Sequence, residues 1–117
     1  MISSVYPALS ALTAFQKKMD VTANNVANVN TDEFKKSRTV MKEAANGGVT
    51  ASIQQIDTPG IVRETIRNDG IEEVESSNVD LAEELPEMII AEAGYSANTK
   101  TVQTQDEMLG SLLDIIG

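Results

Sequence analysis

The 117-residue sequence contains no cysteine, no histidine and no tryptophan, and only two phenylalanines and two tyrosines. Without cysteine or histidine the chain has no disulfide, no thiolate zinc site, no thiol nucleophile and no imidazole for acid–base catalysis. Because aromatic residues are so few, a core has to be built from Leu, Ile, Val, Met and Ala, which suits contacts between helices. We therefore predict no catalytic residues, no cofactor and no metal, and a protein that is not an enzyme.

Long apolar runs are also missing. No stretch approaches the roughly 20 apolar residues that a membrane-spanning helix needs. The first seven residues, MISSVYP, carry no basic residue ahead of an apolar run. We expect neither membrane insertion nor a cleaved signal peptide.

The charge is unevenly distributed along the chain. The net charge is −9, with six basic against four acidic residues in 1–45 and three against fourteen in 46–117. This balance argues against nucleic-acid binding, which needs a dominant basic face. The asymmetry favours head-to-tail contact between copies, or it only keeps the protein soluble; the sequence leaves both interpretations open.

A regular apolar stripe runs along the first quarter of the chain. Its members alternate at spacings of three and four: Val5, Ala8, Leu12, Phe15, Met19, Thr22, Val26 and Val29. This spacing predicts a helix over about Pro7 to Asn30, with Thr22 as a polar defect in the stripe. Proline fits the first helical turn, and the Asn-Thr-Asp sequence at 30–32 should end the helix.

The middle of the chain predicts short β structure. Residues 33–45 fit a helix or a strand equally, whereas alternation of apolar and polar residues over 49–54 predicts a strand. Asn68-Asp69-Gly70, between Ile66 and Ile71, is typical of a hairpin turn. We predict a small β insert over residues 46–77.

A second apolar stripe predicts a long helix over residues 80–116. Its members are Leu81, Leu85, Met88, Glu92, Tyr95, Thr99, Val102, Asp106, Leu109, Leu113 and Ile116. Pro86 should kink this helix or delay its start. Gly94 and Gly110 should each weaken it by roughly 1 kcal/mol relative to alanine.

Four carboxylates stand at the start of this second helix. Asp80 and Glu83 have the spacing of a capping box. Together with Glu84 and Glu87 they share one helical face, which could hold a hard cation. Because no EF-hand loop or Glu-x-x-His pair accompanies them, we interpret them as a solvated helix face.

These elements predict a mainly α fold in which long terminal helices pair as an antiparallel coiled coil, with a small β insert between them. The single domain, residues 1–117, then divides into an N-terminal helix (5–31), the insert (46–77) and a C-terminal helix (78–117). Since both stripes contain polar members, an isolated pair would be marginally stable and the helices should take further partners. A self-contained helical monomer is the alternative.

Two segments near the ends of the chain have distinctive sequences. The first comprises residues 8–12 (ALSAL) and 23–31 (ANNVANVNT). The second comprises residues 77–80 (SNVD) and Ile90, Ala91, Glu92, Tyr95, Ala97, Asn98, Lys100, Val102, Thr104, Asp106, Met108 and Leu109. They resemble the terminal signatures of bacterial flagellar rod and hook proteins, and those of the proximal rod proteins most closely, in a short variant. Relatives usually place glycine where this chain has Glu33, so the turn after the first helix is expected to differ in shape.

The resemblance implies a structural subunit of the flagellar basal-body rod that self-assembles through its terminal helices for motility. The implied partners are further copies of itself, other rod and hook proteins, and the flagellar type III export apparatus. The implied location is the rod that spans the periplasm, reached without signal cleavage. The alternative is a soluble coiled-coil adaptor or export-associated binding module that does not polymerise.

The asparagine-rich end of the first helix is the most distinctive candidate contact. Buried between helices, a neutral amide can fix register, as a single buried asparagine does in coiled coils; the alternative is that these residues only cap the helix. Lys100 could pair with an acid on a neighbouring copy or remain solvated. The predicted assembly interface comprises Leu9, Leu12, Phe15, Met19, Asn24, Asn25, Val26, Asn28, Asn30, Tyr95, Asn98, Lys100, Val102, Met108 and Leu109.

Overall fold

The computed structural model describes residues 2–117, and side chains from residue 5 onward. Two long helices lie at the ends of the chain, with two β-hairpins between them. The elements in order are α1 (Ile2–Ala27), β1 (Ser37–Glu43), β2 (Val49–Gln55), β3 (Val62–Arg67), β4 (Gly70–Glu75) and α2 (Leu81–Ile116). The expectation of two terminal helices joined by a small β region is confirmed.

Helix α1 follows the predicted apolar stripe. All eight stripe positions are buried or half-buried, including the polar Thr22 at 3% exposure. The helix begins five residues before Pro7, so this proline lies inside α1 and not in its first turn as predicted. It ends at Ala27, three residues before the predicted end, where the amide N–H of Asn28 bonds the carbonyls of Asn24 and Asn25 at 3.2 and 3.1 Å.

Helix α2 begins where its cap predicts. The Asp80 side chain accepts a hydrogen bond from the Ala82 N–H at 2.9 Å, which satisfies one of the free donors of the first turn. The other half of the predicted capping box is wrong, because the Glu83 carboxylate bonds Lys36 and Arg38 instead. Pro86 lies inside the helix and does not delay its start.

The two helices pack side by side in opposite directions. Phe15 lies against Gly94, and ten residues further along α1, Asn25 contacts Glu84. Because the helices are antiparallel and rise equally per residue, moving from Phe15 back to Ile2 on α1 corresponds to moving the same number of residues forward from Gly94 on α2. Ile2 therefore lies at the level of about residue 107. The remaining residues of α2, 108–116, therefore extend past the level of Ile2, and we call them the overhang.

The two hairpins form separate two-stranded antiparallel sheets. The first pairs Ser37 with Gln55 through to Glu43 with Val49 and packs on α1, so the segment that periodicity left undecided contains strand β1. The second pairs Ile66 with Ile71, and the turn residues Asn68 and Asp69 have φ of 49° and 63°. Positive φ at both positions is the signature of a type I′ turn, which confirms the predicted hairpin.

The buried core is small for a chain of this length. Among the residues whose side chains are described, the buried ones are Ala8, Ala14, Thr22, Asn25, Val74, Glu84 and Ala91. The molecule is 81 × 24 × 21 Å, and its radius of gyration is 20.9 Å, against about 13 Å for a compact chain of this length. Its accessible surface is 7969 Å², whereas a compact monomer of this mass exposes about 6,200 Å². None of the helices in the described part of the chain has the length and apolarity to cross a bilayer.

Candidate assembly surfaces

Small residues allow α1 and α2 to approach closely. Ala91, on the side of α2 that faces α1, is completely buried. A β-carbon placed on Gly94 would lie 2.5 Å from the Phe15 ring, so only glycine leaves room for this aromatic side chain. Gly94 was expected to weaken α2 because of its low helix propensity. The contact with Phe15 nevertheless requires glycine at this position.

Asn25 connects α1 to the first hairpin, because its side-chain amide bonds the backbone of Ser37. Its amide nitrogen donates to the Ser37 carbonyl at 2.8 Å, and its oxygen accepts from the Ser37 N–H at 3.0 Å. The same nitrogen donates to Glu84 Oε2 at 3.1 Å. Because Asn25 is completely buried, these bonds replace water at every polar atom of the side chain, and Asn25 fixes β1 and α2 on α1 together.

Glu84 is a fully buried carboxylate at the start of α2. Besides its bond to Asn25, Oε1 lies 3.0 Å from Arg38 Nη1. The charge of Arg38 and the amide of Asn25 offset part of the cost of burying this acid, although Oε1 accepts no hydrogen bond from the described residues. The interpretation of this residue as part of a solvated helix face is wrong.

A second asparagine, Asn78, bonds Lys36, which is the residue next to Ser37. Asn78 Oδ1 accepts from the Lys36 N–H at 2.7 Å, and its amide nitrogen donates to the carbonyls of Ile56 and Thr58 at 2.8 and 2.9 Å. Residues 36–38 are thereby fastened to both helices. We call this group the junction; it comprises Asn25, Lys36, Ser37, Arg38, Asn78, Glu83 and Glu84.

The outer part of the junction is ionic. Lys36 Nζ and Arg38 Nη2 each lie 2.8 Å from Glu83 Oε2. The hydrogen bond from Lys36, with the charge of the same lysine, holds the pKa of Glu83 below its ordinary value. A similar arrangement lies beside β4, where the hydrogen bond from Lys35 and then that from the Gly60 N–H lower the pKa of Glu75.

Most of the large apolar residues of α2 do not face α1. The buried and half-buried positions that face α1 are Glu84, Glu87, Met88, Ala91, Gly94, Asn98, Val102 and Gln105. Glu87 pairs with Lys18 of α1 at 2.5 Å. The predicted stripe is therefore wrong as the contact with α1: of its eleven positions, only Met88 and Val102 are shielded. Leu85 and Tyr95 are 50% and 37% exposed, so α2 keeps apolar surface outside the helix pair.

The overhang is the most apolar exposed part of α2. The exposed fractions of its large apolar side chains are Met108 47%, Leu109 36%, Leu112 40%, Leu113 69%, Ile115 82% and Ile116 80%. Contiguous exposed apolar surface is uncommon on a soluble monomer and is characteristic of interaction sites.

A shallow groove lies on the opposite side of α1, between this helix and β2, and has a volume of about 470 Å³. Residues that line it include Tyr6, Leu9, Thr13, Lys17 and Val49. Tyr6 and Leu9 are 53% and 48% exposed, and Lys17 Nζ donates to the Ala51 carbonyl at 3.3 Å at one end. We call this the α1–β2 groove.

The fifteen predicted interface residues fall into three groups by exposure. Asn25 is buried. The half-buried ones are Leu12, Phe15, Met19, Val26, Asn28, Asn98 and Val102. The exposed ones are Leu9, Asn24, Asn30, Tyr95, Lys100, Met108 and Leu109. The structure thus brings part of the set into the contact within one chain and leaves the rest on the surface.

The other predicted polar residues make local bonds. Asn28 donates to the carbonyl and side-chain oxygens of Asn24 at 2.9 and 3.2 Å, so this pair caps α1. Asn98 donates to the Gly94 carbonyl of its own helix at 2.8 Å. Lys100 Nζ lies 3.4 Å from Gln103 Oε1 on the surface.

Glu84, Gly94 and Arg38 were missed by sequence reasoning. A signal for Glu84 was present, since residues 84, 91, 98 and 105 repeat at seven-residue intervals and all are buried or half-buried. It was overlooked because the repeat consists of polar and small residues.

Two family models match the two ends of the chain. The model described as flagella basal body rod protein matches residues 6–35, and the model described as flagellar basal body rod FlgEFG protein C-terminal matches residues 72–115. The chain belongs to the flagellar rod and hook protein family. The matched segments contain most of α1, nearly all of α2 and four residues of the junction, Asn25, Asn78, Glu83 and Glu84. Residues 36–38 lie just after the first match.

Individual rod and hook proteins match over short segments. The flagellar basal-body rod protein FlgG of Bacillus subtilis is 51% identical over 43 residues, which are 37% of this chain and 16% of FlgG. The flagellar hook protein FlgE of Escherichia coli is 45% identical over 42 residues, 36% of this chain and 10% of FlgE. FlgE of Borreliella burgdorferi is 37% identical over 60 residues, 51% of this chain and 14% of that protein. The chain therefore spans only a small part of the length of these relatives.

Proposed function

We propose that the chain is a structural subunit of the flagellar basal-body rod and self-assembles through its terminal helices. One observation carries the proposal: the two segments that match rod-protein models are the two helices of one packed unit, and this unit leaves large apolar side chains of α2 exposed. Such a surface is an unfavourable feature in an isolated monomer and a useful one in a subunit that is covered by its neighbours.

The proposal includes coiled-coil packing of the helices and association with copies of the chain and with other rod and hook proteins. The exposed Leu113 and Ile116 lie on the same side of α2 as Ala91 and Gly94, so neighbouring helices can extend the existing contact. The buried Asn25–Glu84 pair then sets the register of α1 and α2 within each subunit.

The proposal also includes export by the flagellar type III apparatus and a final position in the periplasm-spanning rod. The hydrogen bonds of the buried polar side chains support a structural role and not a catalytic one. Asn25, Asn78 and Glu84 are all bonded to other parts of the chain and are engaged in holding the fold.

Co-purification with intact basal bodies tests the proposal. We expect the full chain, expressed in its flagellated source, to sediment with detergent-purified basal bodies and to be lost from strains that cannot export rod proteins. A protein that remains in the cytosol in fixed stoichiometry with one partner would support the non-polymerising adaptor and overturn the rod assignment.

A surface variant separates assembly from folding. Leu113 and Ile116 are 69% and 80% exposed, so Leu113→Asp/Ile116→Asp changes the surface without removing buried contacts. We expect normal helicity by circular dichroism but loss from basal bodies, whereas Glu107→Gln, on the other face of α2, should be retained. Normal incorporation of the double Asp variant would show that this surface does not serve assembly.

A further inference from the structure

We propose that the overhang of one copy docks in the α1–β2 groove of a second copy, running antiparallel to that copy's α1. The inference rests on the proposed function, because it names the surfaces by which the subunits would contact each other. It commits to a second copy of this chain as the occupant of the groove.

The overhang has the pattern of a helix that binds in a groove. Leu109, Leu113 and Ile116 are spaced by four and three residues, so they share one face, and all three are exposed. Asp106 continues this face by one turn toward the N-terminus. Asp106 lies just before the overhang, whereas Glu107 and Asp114 lie on the other side of the helix. The docking face therefore carries a single acid at one end.

The groove presents the complementary pattern. Tyr6, Leu9, Thr13 and Lys17 line it at spacings of three, four and four along α1. Both patterns therefore cover about 15 Å of helix. The groove carries its single cation, Lys17, at one end, as the docking face of α2 carries its single acid, Asp106, at one end.

Only the antiparallel orientation brings the two charges together. In that orientation Asp106 faces Lys17 and Leu113 faces Leu9, and the two other anchors face the two other groove positions. The parallel orientation would place Asp106 beside Tyr6 and leave Lys17 opposite Ile116. Complementary charge therefore selects the direction and the register of docking.

The docking has to occur between copies. Leu113 lies roughly 20 Å along the molecule from the level of Leu9, so one chain cannot close on itself without separating its helices. The accessible surface exceeds that of a compact monomer by about 1,800 Å², which is comparable to the area that a standard interface buries. Two different surfaces meet, so the contact is head-to-tail.

Disulfide crosslinking of single-cysteine variants tests the contact directly, because the natural chain has no cysteine. The Leu9→Cys variant and a Leu113→Cys variant that carries a size tag are purified separately. The two proteins are then mixed and oxidised. We expect a mixed dimer on a non-reducing gel. Leu9→Cys mixed with Glu107→Cys, on the far face, is the control and should give none.

Two results of this experiment would overturn the proposal. Crosslinking of Leu113→Cys to itself, without a mixed dimer, would show that overhangs pair with each other. Absence of the mixed dimer in a sample that sedimentation shows to be assembled would show that copies meet through other surfaces. In that second case the proposed rod function stands and only the docking is rejected, so the two failures are distinguishable.

A charge exchange tests the register. Lys17→Glu is introduced into both cysteine variants in one experiment, and Asp106→Lys in another. Each substitution alone should lower the yield of mixed dimer about five-fold. The combination should restore it, because the pair is re-formed with reversed signs. Two single losses that the combination does not restore would overturn the predicted pairing of Asp106 with Lys17.

Discussion

The side-chain amide of Asn25 donates to the carboxylate of Glu84 across 3.1 Å, although 59 residues separate them in sequence. Both side chains are completely buried. A shift of α2 by one turn along α1 would separate the buried carboxylate from this amide, and loss of a donor to a buried charge is costly. This contact therefore fixes how the two ends of the chain align.

Replacement of Asn25 by alanine should lower the free energy of unfolding by about 2–3 kcal/mol, because it leaves Ser37 and Glu84 with unsatisfied buried groups. Urea unfolding followed by circular dichroism measures the change. Asn24→Ala is the matched control, since Asn24 is exposed, and should cost less than about 0.5 kcal/mol. Equal costs at the two positions would show that Asn25 acts only as a helix cap.

Two glycines of α2 should respond to alanine in opposite directions. Gly94→Ala should destabilise the protein by about 1–3 kcal/mol, because the new methyl group overlaps the Phe15 ring. Gly110→Ala meets nothing within 4 Å and should stabilise by about 0.5–1 kcal/mol through helix propensity. Thermal unfolding of both variants distinguishes packing from propensity, and a stabilising Gly94→Ala would contradict the close helix contact.

Glycine in place of Glu33 should stabilise the protein. Glu33 has φ of 62°, a left-handed conformation that costs a residue with a β-carbon roughly 1 kcal/mol. Its N–H donates to the Glu75 carbonyl at 2.8 Å, and glycine retains that bond. Urea unfolding should show a gain of about 0.5–1 kcal/mol for Glu33→Gly and none for Glu33→Ala. Equal gains would indicate that removal of the charge matters, and not the backbone.

Acid should weaken the junction through Glu83. Its pKa is lowered in the folded state from roughly 4.3 in an unfolded chain. The stabilisation is therefore complete above about pH 4.3 and is lost as the pH falls through the lower folded value. Urea midpoints measured from pH 7 to pH 3 should fall less for Glu83→Gln than for the parent.

Glu107→Gln provides the control for this titration, because Glu107 is exposed and bonds only Gln103 among the described residues. Its midpoints should follow the parent at every pH. If Glu83→Gln also follows the parent, Lys36 and Arg38 do not stabilise the folded state through this carboxylate.

The sequence predicted those parts of the fold in which local chemistry decides the structure. The N-cap at Asp80 and the type I′ turn at Asn68 and Asp69 depend on residues within a few positions of each other. The stripe of α1 was also predicted correctly, because α1 packs on both α2 and the first hairpin, which shield the stripe residues within the chain.

The contact face of α2 was not predicted, for a physical reason. Periodicity shows which residues avoid water but not which surface covers them. In this chain the small residues Ala91 and Gly94 face α1, whereas Leu113 and Ile116 remain exposed. The turn at Glu33 was expected to differ from that of relatives because glycine is missing, yet Glu33 adopts a backbone conformation that favours glycine.

The asparagine-rich segment was only partly understood from sequence. Fixing of register was predicted for a buried amide; Asn25 is the asparagine that is buried, and its bonds to Ser37 and Glu84 lie within the chain. The capping alternative holds for Asn24 and Asn28. Glu84 and Arg38 could not be placed because their pairing depends on β1, in a segment whose periodicity was ambiguous.

The fastening of residues 36–38 to both helices separates the chain into parts that tolerate change differently. After residues 36–38, the strands β3 and β4 are connected by a two-residue turn. Ile66 and Ile71, close to this turn, are 83% and 71% exposed. Extra sequence inserted between Asn68 and Asp69 would lengthen this hairpin without loosening the helix pair. The tip of this hairpin is therefore the natural site for grafting a foreign loop or a tag onto the protein.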